Sequence, residues 1–153
     1  MGVYENLKKL NLELPAPPPL GGVYVPVKQV WNLLFTAGQG STQNGVPVVS
    51  GKAGTDVSIE TAQNGAMVAA LNMLSILHQY TGDLNRVKNV VKLLGFVAST
   101  PGFGNQPKVM NAASQLLVDL FGEAGRHARS AIGVNELPGN ITVEIEGIFE
   151  LKD

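Results

Sequence analysis

The chain has 153 residues, 44% of them hydrophobic and 15% charged, with a formal net charge of −1 at pH 7. This length suits one globular domain, and no basic run exceeds Lys8-Lys9, which argues against a nucleic-acid partner. Cysteine is absent, which excludes disulfides, thiolate metal sites and a cysteine nucleophile. The first residues lack a secretory leader and no apolar run is long enough to span a membrane, so we expect a cytoplasmic protein with no membrane partner.

The beginning of the chain predicts a short helix and a proline-rich arm, residues 1–19, in front of a single domain over residues 20–153. Leu7, Leu10 and Leu14 recur at helical spacing. The prolines at position 15 and over 17–19 fix the backbone torsion and remove donors, so this stretch must run extended. The leucines around it favour an arm packed along the body of the protein.

The rest of the chain predicts an α+β domain whose mixed β-sheet has two α-helices packed on one face. The long helix has alanines on its sheet-facing side, a cap at Ser58 and a stop at Gly82. A glycine-rich loop over 40–54 can hold a short strand at 46–49. The other predicted elements are strands at 23–27, 30–39 and 87–97 and helices at 58–80 and 107–121.

The C-terminal segment over 141–151 alternates apolar and polar residues, which is typical of a strand with one buried face. The segment over 127–134 is also extended, and a six-residue connection predicts that the two form an antiparallel hairpin. That register puts Arg129 on the same face as Glu144 and Glu146. Such a cluster is either an ion pair on a solvated sheet or a functional site.

Several kinds of chemistry have no support in the sequence. There is no HExxH, CxxC or EF-hand pattern, no GxGxxG or GK[ST] phosphate loop, and no GxSxG nucleophile elbow. We therefore expect no metal and no cofactor. His78 lies late in the long helix and is expected to be structural. A mechanism built from arginine, glutamate, backbone donors and water remains open.

Three blocks of sequence resemble the signatures of one known family. Gly22-Val23-Tyr24 followed by Thr36-Ala37-Gly38-Gln39 is similar to the GPY…TSGQ pattern of the RidA/YjgF reactive-intermediate deaminases, which are also called L-PSP endoribonuclease-like proteins. Arg129-Ser130, Leu137-Pro138 and Val143-Glu144-Ile145-Glu146 resemble that family's terminal PARS…LP…VEIEAIA pattern. Asn111 falls where members keep an asparagine early in the second helix. The longer arm and His127 resemble a divergent, chorismate-mutase-like branch.

The resemblance implies the chorismate-mutase-like fold, assembled as a homotrimer with ligand clefts between subunits. It also implies an enzyme that hydrolyses 2-imino or enamine acids to 2-oxo acids and ammonia. Arg129 would bind the carboxylate of this small-molecule ligand, and Glu144 would position the attacking water. The implied cleft residues are Tyr24, Ala37, Gly38, Gln39 and Asn111.

Two departures from the family pattern bear on activity. Ala37 stands where active members have serine, and His127 replaces a proline two residues before the arginine. They leave open a second hypothesis, a non-catalytic module that binds small carboxylates in the same inter-subunit cleft. A ribonuclease role rests on the family's older label, and low charge argues against it. Chorismate mutase activity rests on shape, which does not imply function.

Overall fold

A six-stranded mixed sheet organises the molecule, which the computed structural model describes over residues 1–153. A separate two-stranded ribbon follows the third strand. No helix has both the length and the apolar character that crossing a bilayer requires. The elements are α1 (Val3–Lys9), β1 (Val27–Val30), β2 (Leu33–Thr36), β3 (Gln39–Gly40), β4 (Thr42–Gln43), β5 (Val46–Pro47), α2 (Ile59–Thr81), β6 (Val87–Ala98), α3 (Gln106–Phe121), β7 (Ala128–Val134) and β8 (Val143–Leu151).

The strands of the sheet lie in the order β1-β2-β8-β6-β7, and β3 also pairs with β8. Only β6 and β7 run parallel; the other pairs are antiparallel. Strand β8 confirms the alternation in its sequence, since every second residue from Val143 to Leu151 is buried and those between are partly exposed. One face of the sheet therefore carries the core, and no helix of this chain covers the other, which is called the uncovered face.

Helices α2 and α3 pack on the buried face of the sheet, as the sequence predicted. Ala62, Ala66 and Ala70 are fully buried, and their small side chains let α2 lie close to the strands. The Oγ atom of Ser58 accepts a hydrogen bond from the Thr61 amide at 3.1 Å, which caps the helix. Gly82 ends it with φ 75°, the left-handed conformation that glycine adopts most easily. Both predicted helix ends are confirmed.

The predicted hairpin between the last two strands is wrong. Strand β7 does not touch β8, because β6 lies between them and pairs with both. Helix α3 connects β6 to β7 and returns the chain to the same end of the sheet, which is the connection that a parallel pair requires. The segment from Asn135 to Thr142 then crosses the end of β6. Two strand spacings are about 10 Å, a distance that this short connection can bridge.

The first two strands also differ from the prediction. Residues 23–25 are exposed and form no strand, and the segment predicted as one strand over 30–39 is broken by a turn. Trp31 and Asn32 connect β1 to β2, with Trp31 at φ 53° and 89% exposed. The Asn32 carbonyl accepts a hydrogen bond from Leu151, so this turn is fixed by the end of β8. Pairing with strands far away in the sequence therefore sets the ends of β1 and β2, and the local apolar pattern does not.

The N-terminal helix is attached to the body of the protein by packing and by hydrogen bonds. Val3 and Leu7 are buried members of the single hydrophobic core. The Tyr4 hydroxyl lies 2.8 Å from Nδ1 of His78, which gives this histidine a structural role. Further along, the Pro15 carbonyl accepts a hydrogen bond of 2.6 Å from the Ser75 hydroxyl, so the proline-rich arm begins at a fixed point on α2.

Candidate functional site

A cavity of about 550 Å³ lies beside the start of β8, and the Glu144 carboxylate reaches it from the uncovered face of the sheet. Tyr24, Gly38 and Gln39 line it too, so four residues named from the sequence meet there. The remaining walls come from the N-terminal arm, the β4–β5 ribbon and the turn before β8. These further lining residues are Pro18, Pro19, Leu20, Gly21, Gly40, Thr42, Gly45, Pro47, Pro138, Gly139 and Ile141.

The strand β3 brings Gly38 and Gln39 to Glu144. Gln39 pairs with Ile145 and Gly40 pairs with Glu144 across β3 and β8. Asn72, a buried residue of α2, fixes this segment by donating to the carbonyls of Gly40 at 3.0 Å and Thr42 at 2.8 Å. A buried asparagine needs such partners, and here the partners are the backbone that carries the site.

The absence of a side chain at Gly38 gives the Glu144 carboxylate its position. A β-carbon at position 38 would overlap Oε1 of Glu144. No protein donor forms a hydrogen bond with this carboxylate, although the side chain is half-buried. Burial raises the pKa of the Glu144 carboxyl above its ordinary value, and the charge of Glu146 raises it further. Such a carboxylate can accept a proton more readily than an exposed one.

Arg129 lies in a groove between β7 and the first half of α3. Its Nη1 atom donates to Oδ1 of Asn111 at 3.0 Å and to the Ser114 hydroxyl at 3.1 Å, and Nη2 donates to the Pro107 carbonyl at 3.4 Å. All three partners are neutral, and no carboxylate of the chain forms a salt bridge with Arg129. The positive charge of the guanidinium is therefore oriented but not neutralised.

His127 extends this hydrogen-bonded group. Its Nδ1 lies 2.6 Å from the Gly125 carbonyl, which can only accept, so Nδ1 carries a proton. In the neutral ring Nε2 then accepts from the Ser114 hydroxyl at 3.0 Å, while the same hydroxyl accepts from Arg129. Burial lowers the pKa of His127. The hydrogen bond to Gly125 opposes this effect by raising the pKa, whereas the charge of Arg129 lowers the pKa further. The neutral form is favoured.

The two groups occupy opposite faces of the sheet. Arg129 pairs with Leu93, which is fully buried, so the arginine lies on the side of the helices. Glu144 pairs with Phe96, three residues further along β6 and therefore on the other side. The prediction that Arg129 shares a face with Glu144 and Glu146 is wrong, because β6 separates the strands and the assumed hairpin register does not exist. The same strand order excludes a simple cross-strand ion pair between Arg129 and either of these glutamates.

The residues named from the sequence thus fall into two groups within one chain. Tyr24, Gly38, Gln39 and Glu144 surround the cavity, whereas Asn111 contacts Arg129 on the helix side. Ala37 precedes Gly38 but does not line the cavity; its amide donates to the Pro26 carbonyl. Sequence reasoning missed Ser114. Its spacing from Asn111 could have revealed it, because residues three apart share a helix face.

Fold and site together define a class: an α+β domain with an oriented arginine at one sheet edge and a half-buried glutamate in a cavity on the opposite face. Comparison with known proteins identifies the family to which this fold belongs. Residues 5–146 match the family described as "YjgF/chorismate mutase-like, putative endoribonuclease". The chain belongs to this family, whose members include the RidA proteins.

Three relatives match nearly the whole chain. Protein TCP17 of Trypanosoma cruzi is 38% identical over 152 residues, which cover 99% of this chain and 95% of that protein. A protein of unknown function from Agrobacterium tumefaciens is 40% identical with a TM-score of 0.91, over 98% of this chain and 92% of that one. A structure from Shewanella oneidensis described as a "putative endoribonuclease" is 30% identical with a TM-score of 0.95, over 99% and 100% of the two chains.

Proposed function

We propose that this protein hydrolyses reactive 2-imino or enamine acids to 2-oxo acids and ammonia. Arg129 binds the substrate carboxylate through its guanidinium, and Glu144 positions the water that attacks the imine carbon. Glu144 accepts a proton from that water as the water oxygen bonds to the imine carbon, and the same proton is returned to the imine nitrogen to give a carbinolamine. The C–N bond of the carbinolamine then breaks as its hydroxyl proton passes to nitrogen, which releases ammonia and leaves the 2-oxo acid. Tyr24, Gly38 and Gln39 form the cleft around the reacting atoms.

The observation that carries the proposal is that both charges are unpaired within the chain. Arg129 is held by three neutral groups, and the half-buried Glu144 has no donor. Keeping a charge partly desolvated without an opposite partner is unfavourable, so such groups are typical of sites that bind and transform ligands. An anionic substrate supplies the partner of the arginine, and a water supplies a donor to the glutamate.

The proposal includes a homotrimer, because Arg129 and Glu144 cannot meet inside one chain. We infer that the arginine of one copy faces the glutamate cavity of the next, so that each of three clefts lies between two subunits. The uncovered face of the sheet supports this, since it exposes Phe35 by 39% and Ile132 by 45% in addition to its glutamates. A cytoplasmic location is part of the same proposal.

A second candidate is a non-catalytic module that binds small carboxylates. Ala37 favours it, because the family's active members have a serine hydroxyl at that position and this chain has none. The endoribonuclease named for relatives has no comparable support, since the net charge is −1 and RNA affinity depends on phosphate contacts.

A coupled assay tests the proposal. An amino-acid oxidase generates 2-iminopropanoate or 2-iminobutanoate, and release of the 2-oxo acid is followed with wild type, Arg129→Ala and the control Arg126→Ala. Arg126 is exposed and pairs with Glu123, three residues before it. The proposed deaminase is supported if Arg126→Ala still accelerates release of the 2-oxo acid and Arg129→Ala does not. Equal rates with and without wild type, together with carboxylate binding in calorimetry, support the binding module.

A further inference from the structure

The cavity beside Glu144 is larger than a small imino acid needs. Its volume is about 550 Å³, whereas a water occupies about 30 Å³ of liquid, so it can hold roughly eighteen groups of that size. A three-carbon 2-imino acid has about one third of that number of heavy atoms. Pockets for larger organic ligands fall in this volume range.

Five of the residues that line the cavity have apolar side chains without hydrogen-bonding groups. They are Pro18, Pro19 and Leu20 of the N-terminal arm, with Pro47 and Ile141. Leu20 is 53% exposed, which leaves apolar surface for a ligand to cover. Proline and leucine side chains offer no hydrogen-bonding groups, so this part of the cavity selects by shape and apolar contact.

The arm is a fixed wall rather than a loose segment. The Ser75 hydroxyl holds the Pro15 carbonyl at 2.6 Å, before the proline run. The Gly21 amide donates to the Tyr24 hydroxyl at 3.1 Å, after it. Between these points prolines restrict the backbone, so little conformational entropy is lost when a ligand binds against it.

The charge of the cavity excludes one class of substrate. Glu144 is the only ionisable acid or base among its lining residues apart from the Tyr24 phenol. Lys52 lines a neighbouring depression that shares Pro138 and Gly139, and its ammonium donates to Asn135. In the proposed trimer the Arg129 of the neighbouring copy binds the first carboxylate of the substrate. A second carboxylate on the substrate side chain would therefore meet Glu144 with no further cation among the lining residues of this chain.

We infer that the substrate is a 2-imino or enamine monocarboxylic acid with a bulky apolar side chain, bound against the Pro18–Leu20 wall. This inference rests on the proposed function and names its substrate class. It assigns specificity to the arm, which lies outside the sequence blocks that carry the reaction. Dicarboxylic imines are excluded by charge, and three-carbon imines leave most of the apolar wall uncovered.

The test compares kcat/KM for imines made by amino-acid oxidases from alanine, leucine, phenylalanine and aspartate. We expect the phenylalanine imine to exceed the alanine imine by about tenfold, the scale on which apolar pockets discriminate, and the aspartate imine to be poorest. Leu20→Ala should remove most of the preference, because it lowers kcat/KM for the phenylalanine imine more than for the alanine imine. Leu10→Ala is the matched control, because Leu10 is 40% exposed and does not line the cavity.

Each other outcome has a distinct meaning. An alanine or aspartate imine that is turned over as well as the phenylalanine imine overturns the inference and leaves the proposed function intact. If no imine is hydrolysed, the proposed function fails and the inference is reduced to a preference in ligand binding, which calorimetry with pyruvate, phenylpyruvate and oxaloacetate decides. Phenylpyruvate binding about tenfold more tightly than the other two, with the difference lost in Leu20→Ala, supports it. Equal affinities overturn it.

Discussion

Arg129 and Glu144 point to opposite faces of the same sheet, and strand β6 separates the strands that carry them. Leu93 and Phe96, their respective neighbours on β6, fix this relationship, because residues three apart in a strand point to opposite sides. Side-chain rotation cannot bring the two groups together through the sheet. A cleft that uses both must combine two copies of the chain.

Mixing two inactive variants tests this shared site. Arg129→Ala and Glu144→Gln should each lose activity alone, and trimers refolded from an equal mixture should regain about a quarter of the wild-type sites, because each site draws one group from each of two neighbours. Activity is measured before and after mixing, with unmixed refolded variants as controls. No recovery in confirmed mixed trimers would contradict a cleft between copies.

The uncovered sheet face gives a prediction about assembly. Ile132→Asp places a charge on an apolar part of that face, so we expect light scattering to change from trimer to monomer and imine hydrolysis to be lost. Leu10→Asp adds the same charge at another exposed aliphatic residue and should remain trimeric. A monomeric wild type would refute the assembly outright, and far-UV circular dichroism checks that Ile132→Asp still folds.

Gly38→Ala should displace the Glu144 carboxylate, because the new methyl group needs the space that Oε1 occupies. We expect kcat to fall about tenfold or more, with carboxylate affinity measured by calorimetry nearly unchanged, since Arg129 is not touched. Gly104→Ala is the control, because a β-carbon there has no neighbour within 4 Å. Unchanged kcat in Gly38→Ala would show that this placement of the glutamate is not needed.

Ser114→Ala removes the hydroxyl that joins Arg129 to His127. Arg129 keeps Asn111 and Pro107, so we expect KM to rise about fivefold, equivalent to one hydrogen bond of about 1 kcal/mol, with kcat nearly constant. Steady-state kinetics on one imine separate the two parameters. Thr61→Ala, at an exposed hydroxyl in the first turn of α2, controls for general effects. A fall in kcat alone would mean that Ser114 acts on the reaction and not on substrate binding.

The raised pKa of Glu144 has consequences for activity and for stability. Activity should rise with pH along a limb that lies above the ordinary carboxyl range, and Glu144→Gln should remove that limb and lower kcat about a hundredfold. A carboxyl whose pKa is raised on folding favours the native state at low pH and loses that contribution as pH rises through the folded pKa. Glu144→Gln should therefore raise Tm at pH 7 and have little effect below about pH 4, as measured by thermal denaturation.

The sequence predicted which face of a strand or helix is buried better than it predicted which strands pair. Period two in β8 and the spacing of alanines in α2 depend on local geometry, so the predicted orientation of both was correct and their ends differ only slightly from Val143–Leu151 and Ile59–Thr81. Which strands pair depends on contacts far apart in sequence, and a short connection favoured a hairpin that β6 in fact interrupts. The sequence motifs propose each site residue one at a time, and those roles stay predictions. Whether Arg129 and Glu144 meet is a property of topology that no spacing encodes.

The chain has one tryptophan, and it stands in the β1–β2 turn with 89% of its surface exposed. An indole that is already hydrated in the native state changes its surroundings little on unfolding, so its emission is a poor probe of the core. Because the indole is isolated from the core, its emission reports on the surroundings of the β1–β2 turn. A shift of its fluorescence to shorter wavelength, on raising the protein concentration or adding a ligand, would mean that something covers this turn.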